Sequence, residues 1–89
     1  FGMFGGKEQK VKMLVKNNLT GVIIDRFGKE VMMIPADDEH FTVNVDVHVS
    51  RQFLGWVFSL GEDIKIVGPD EVVEQMKMEG RRLVEQYHG

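Results

Sequence analysis

Ten residues constrain the fold more than any others. From His40 to Val49 the chain alternates without a break, with Phe41, Val43, Val45, Val47 and Val49 on one side and Thr42, Asn44, Asp46 and His48 on the other. A period of two places these sets on opposite faces of a pleated strand, so one face must be buried and the other open. A second alternating run, Lys10–Lys16, repeats the pattern: Val11, Met13 and Val15 against Lys10, Lys12, Leu14 and Lys16. Two half-buried strands need a sheet and a layer of helices to cover one face.

The segments between these strands supply the helices. Leu19, Val22, Ile23 and Phe27 form one helical stripe, with Asp25 and Arg26 outside it. Asn17 and Asn18 offer N-caps, and Gly28 suits a left-handed exit. Val31–Ala36 is a short apolar run ended by Pro35, which fits an edge strand. The acidic turn Asp37–Glu39 joins it to His40–Val49 as a hairpin. Ser50 then caps a second helix on which Phe53, Trp56, Val57 and Leu60 share a face, and Gly61 ends it. Asp63–Val67 reads as a fourth strand. Gly68–Pro69–Asp70–Glu71 opens a last helix to about Tyr87, with acids at the positive end of its dipole. Its apolar stripe is Val72, Val73, Met76, Leu83, Val84 and Tyr87. Gly80 interrupts it and marks either close packing or a bend.

The order β-α-β-β-α-β-α predicts an α+β fold, a ferredoxin-like sandwich with sheet order 4-1-3-2 and an extra C-terminal helix. Strands one and three are expected as central neighbours, running parallel. Residues 10–89 form the single domain. Residues 1–9, which contain FGMFGG, read as the end of a linker from a preceding domain, or as a segment that docks on a partner chain. The start at Phe1 rather than Met suggests a piece of a longer protein.

Composition narrows function by exclusion. The 89 residues carry a net charge of −3, against the basic surface expected of a domain that grips phosphates by itself. There is no cysteine, which removes thiolate chemistry and fits a reducing compartment. No apolar run approaches the roughly 20 residues of a membrane span. Asp46, His48 and Ser50 contain the letters of a catalytic triad. On a strand, however, Asp46 and His48 stand roughly 6–7 Å apart and perpendicular to the sheet. No two of His40, His48 and His88 have metal-ligand spacing, and Asp37–Glu39 lacks the spaced oxygens of a calcium loop. The open sheet face lacks the aromatics of RNA-recognition modules. Trp56 sits at core spacing, with ligand stacking as the alternative. No catalytic residue, metal ligand or cofactor site is assigned.

Four motifs in order, IIDRFGKEV (23–31), FTVNVDVHVS (41–50), FLGWVFSLG (53–61) and IKIVGPDEV (64–72), with a tyrosine near the terminus, resemble the WCX domain. This is the C-terminal extension of WYL-domain bacterial transcriptional regulators. The resemblance implies a ferredoxin-like fold and a non-enzymatic, cytoplasmic role in effector sensing or signal transmission and in oligomerisation. A purely structural dimerisation domain is the alternative. The implied partners are the helix-turn-helix and WYL domains of the parent chain, a second copy, and a small anionic or nucleotide effector. Neither operator DNA nor a membrane is an expected partner of this stretch. On the residues themselves, Lys12, Lys16, His48, Arg51 and Lys65 are the candidates for meeting an anionic ligand beside the open sheet face.

Overall fold

The computed structural model describes residues 8–89; the FGMFGG segment lies outside them. The elements are β1 (Glu8–Lys16), α1 (Thr20–Phe27), β2 (Met33–Pro35), β3 (His40–His48), α2 (Arg51–Ser59), β4 (Ile64–Gly68) and α3 (Asp70–Gln86). Short 3-10 turns, Asn17–Leu19 and Gly61–Asp63, precede α1 and β4. The sheet order is β2-β3-β1-β4, as the connectivity predicts.

The strand directions differ from expectation. β1 and β3 are antiparallel, with Val11 opposite Val45 and Met13 opposite Val43. β1 and β4 are antiparallel too, and so are β2 and β3. The physical reason lies in the crossovers. A helical crossover returns the chain parallel to the strand it left, but here each skips one position in the sheet. The hairpin strand fills the gap and reverses direction, so β3 opposes β1.

The alternating rows set the core. Val11, Met13, Val15, Phe41, Val43 and Val45 are buried under α1 and α2, joined by Ile23, Phe53, Leu54 and Val57. Ser50 caps α2 as its sequence position predicts: its hydroxyl accepts from the Phe53 backbone N–H at 3.1 Å, an interaction worth about 1 kcal/mol. Gly28 and Gly61 end their helices with φ of +94° and +72°, a region that disfavours side chains.

Four local expectations are corrected. Asn17 and Asn18 cap nothing. The Asn17 amide donates to the Asp38 carbonyl at 3.0 Å, and the Asn18 amide reaches an Asp63 carboxylate oxygen at 3.4 Å. They tie the end of β1 to two distant turns. The pairing of β2 spans only Met33–Pro35, and Met32 is 71% exposed. The apolar stripe of α3 is buried for only part of its length. Val72 is fully buried, yet Val84 is 67% and Tyr87 78% exposed. The row that faces inward carries Gln75 and Glu79 instead. Gly80 is not a close-packing site either, because an added Cβ there would meet nothing within 4 Å.

Candidate functional site

α3 packs on β4 and beside α2, on the helical layer. No described element therefore covers the other sheet face. Its centre is a cross-strand row, Ile34–Thr42–Leu14–Lys65. Lys12 and Lys16 lie two residues either side of Leu14 on β1, and Lys65 lies beside it on β4. From strand geometry, each of the two flanking lysines has its Cα roughly 8 Å from that of Lys65. None of the three makes an ion pair among the described residues. Three cations around one half-buried leucine can meet an anion that also has an apolar part. Lys10, on the same face, is already bound to Asp46 at 3.1 Å. Both ends of that pair are exposed, which limits its worth to about 0–1 kcal/mol.

The other two candidates lie elsewhere. His48 stands at the far end of β3, opposite Glu8. Arg51 is in the first turn of α2 on the helical side, with Nε and Nη2 donating to Glu79 at 3.0 and 3.1 Å. The structure thus brings together Lys12, Lys16 and Lys65 and separates them from His48 and Arg51.

The Arg51–Glu79 pair belongs to a structural network. Glu79 also accepts from Arg82 Nε at 3.2 Å. The hydrogen bond from Arg51 is the largest cause holding its carboxyl below the ordinary glutamate value; burial pushes the other way and loses. Glu79 was legible in principle: counting seven from Val72 puts it on the inward row. A group with a lowered folded pKa stabilises fully above its unfolded value, here 4.5, and loses that contribution as pH falls through the folded value. Glu79→Gln is expected to cost about 1 kcal/mol at neutral pH. Thermal melts should show the gap to wild type closing as the pH falls below the unfolded value of 4.5. A gap of constant size would contradict this account.

A cleft of about 730 Å³ opens where α1, α2 and the end of β3 meet, bordered by Asp25, Arg26, His48, Gln52 and Trp56. Trp56 is half-buried rather than fully core. The Arg26 guanidinium carbon sits 4.5 Å from its ring centroid. Phe27 meets the ring edge-on at 5.6 Å and Phe53 stacks at 6.2 Å. The alternation of α1 placed Arg26 outside the stripe but could not show what it covers. A smaller, more apolar groove runs between α2 and α3, bordered by Leu54, Gly55, Met76, Gly80 and Leu83.

The triad-like residues do not assemble. Asp46 holds Lys10, the Ser50 hydroxyl caps α2, and His48 has no side-chain partner among the described residues. In the acidic turn, Asp37 accepts from the Glu39 N–H at 2.8 Å and meets His40 Nδ1 at 2.9 Å. The His40 hydrogen bond is the main cause of its lowered pKa. Among the described residues no group of three His, Cys, Asp or Glu is placed to hold a metal, and no helix is long and apolar enough to cross a membrane.

A search of curated proteins returns no match. The sequence pattern of the WCX domain matches residues 7–84, from the start of β1 to the last turn of α3. The fold, the order of the four motifs and this match agree: the chain belongs to the WCX family, the C-terminal extension of WYL-domain transcriptional regulators.

Proposed function

We propose that this domain is a non-enzymatic regulatory module of a bacterial, cytoplasmic transcriptional regulator, which receives or relays an effector signal. Its working partners are the helix-turn-helix and WYL domains of the parent chain, and the effector biases a two-state arrangement of the parent dimer. Such a bias requires different effector affinities in the two states. The observation that carries the reading is the group Lys12, Lys16 and Lys65 around Leu14 on an uncovered face, in a chain of net charge −3. A small anion or nucleotide is the matching effector class. His48 and Arg51 contribute only if a neighbouring domain extends the site past the sheet edge.

The test is thermal stabilisation by inorganic phosphate, pyrophosphate and ADP. A ligand at 100 times its Kd adds about 2.7 kcal/mol, or roughly 10–20 °C in a domain of this size. The triple variant Lys12→Gln, Lys16→Gln, Lys65→Gln should abolish the rise while keeping its own melting temperature near wild type. An undiminished rise in that variant, or no rise with any of the three anions, rejects the lysine site.

A second reading is a dimerisation domain without its own ligand. Ile34 and Val67 are exposed on the same face as Leu14, and sheet-to-sheet pairing would bury them. A concentration-independent monomer in light scattering would remove that reading for this chain.

A further inference from the structure

β3 is longer than the strand beside it. Its inner edge pairs with β1 along its whole length, from Lys16↔His40 to Glu8↔His48. Its outer edge pairs with β2 only at Phe41, Thr42 and Val43. Residues 44–48 have no described strand on that side. The direction of their backbone groups follows from the hairpin. The His40 N–H donates to Asp37 and its carbonyl accepts from Ala36, so His40 faces the β2 side. Alternation along the strand then turns the N–H and C=O of Asp46 and His48 outward. No backbone hydrogen bond from a described residue reaches them. An open edge of this kind is a template for another strand.

The open edge borders the cleft under α1. A strand laid beside residues 44–48 would place alternate side chains over Val22, Phe27 and Trp56, and the others beside Asp46. The surroundings are acidic. Glu8, Asp25 and Glu30 border this region against the single cation Arg26, which lies on Trp56, and the Asp46–Lys10 pair beside them is neutral as a unit, so the border is negative. We propose that the outer edge of β3 at residues 44–48 is a strand-addition site for an extended basic peptide segment of another protein, with alternating apolar and cationic side chains. Main-chain pairing supplies affinity and the alternate side chains supply specificity. A second copy of this chain is the poorer occupant. Antiparallel self-pairing on this edge brings one acidic border, Glu8, Asp25 and Glu30, up to its own copy, and like charges across an interface repel. This surface is separate from the lysine face, and its test is independent of that reading.

The experiment uses the 89-residue chain and a capped peptide of about eight residues alternating lysine and valine. Binding should slow hydrogen exchange of the Asp46 and His48 amides by at least about tenfold, a fold-change that reports their capture in hydrogen bonds. Replacing the lysines by glutamates should weaken binding by at least about tenfold, and N-methylating the backbone nitrogens of the lysines should abolish it, because in antiparallel pairing with the valines over the cleft those are the N–H groups that face β3. On the protein, the exposed helix and loop changes Asp25→Lys and Glu30→Lys together should weaken binding about tenfold, as expected where charge steers partner choice. The proposal is overturned if the lysine–valine peptide does not bind at millimolar concentration. It is equally overturned if the N-methylated peptide binds as well, or if protection falls on β4 or α3 instead. Protection at Asp46 and His48 that rises with protein concentration alone would assign the edge to a second copy and reject the peptide.

Discussion

Met13→Ala is expected to lower the stability of this domain by about 3 kcal/mol, or roughly 10–20 °C in Tm. Met13 has no exposed surface. It lies at the middle of β1, opposite Val43 on one side and Ile66 on the other. Truncation to alanine removes its transfer free energy and leaves a cavity that four strands and two helices cannot close together. A domain of this size has on the order of 5–15 kcal/mol in total, so the loss is a large fraction of it. Met32→Ala is the matched control. That side chain is 71% exposed one residue before β2, and its loss should fall within about 0.5 kcal/mol of zero. Met13→Leu, which keeps the volume, should cost less than about 1.5 kcal/mol. Chemical denaturation followed by circular dichroism measures all three. Equal losses for Met13→Ala and Met32→Ala would disprove the assigned register.

That register is also where the sequence is most readable. Strict alternation through His40–Val49 leaves one way to bury five apolar residues, and β3 faces the core accordingly. The same logic placed Lys12, Lys16 and Lys65 on the uncovered face, since period and strand order together define a surface, but it grouped them with His48 and Arg51. It stopped at the ends of elements. His48 shares the polar phase of β3 with Thr42, but alternation does not say that β2 and β4 have ended by then and only β1 lies beside it. Arg51 follows the strand by three residues and belongs to the opposite layer, because the capped turn at Ser50 carries the chain over. α3 shows the converse limit. Val84 and Tyr87 continue its apolar period, yet no described element covers them and both are exposed. Periodicity describes which face would be buried, and only tertiary structure decides whether anything buries it. Asn17 and Asn18 are ambiguous for a similar reason: the amide that caps a helix in one context braces a distant turn in another.

The open edge of β3 was hidden for a different reason. Nothing in Val31–Ala36 shows that only three of its residues pair, because Val31 and Met32 are as strand-prone as Met33. The hydrogen bond from the Val31 N–H to the Gly28 carbonyl uses that residue in the preceding turn. The strand consequently starts late, and residues 44–48 lose a neighbour. The length mismatch between β2 and β3 is a consequence of that turn, and the acidic border is a consequence of α1 ending above it.

Trp56→Ala is expected to cost about 3 kcal/mol, as much as the loss of a fully buried methionine, although Trp56 is only half-buried. Its ring closes one end of the core by touching Phe27 from α1 and Phe53 from its own helix. Aromatic pairs of this geometry contribute about 0.5–1.5 kcal/mol beyond buried area. The Arg26 guanidinium adds about 0.5–1 kcal/mol as an exposed cation–π contact. Trp56→Phe should recover most of the loss, since a smaller ring still fills the α1–α2 seam. A double-mutant cycle of Arg26→Ala with Trp56→Ala removes the cation contact from both sides and should return a coupling below about 1 kcal/mol. Because Trp56 is the chain's only tryptophan, unfolding must be followed by circular dichroism rather than indole emission. If Trp56→Ala is tolerated within about 0.5 kcal/mol, the ring is not part of the packing between α1 and α2, and its exposed face must be held in place for some purpose other than stability. If Trp56→Ala and Trp56→Phe are equally damaging, the indole contributes more than area, and the coupling with Arg26 should then exceed 1 kcal/mol. The expected order, alanine far below phenylalanine and phenylalanine close to wild type, makes Trp56 the packing link between the two helices and leaves its outer rim as one wall of the cleft beside β3.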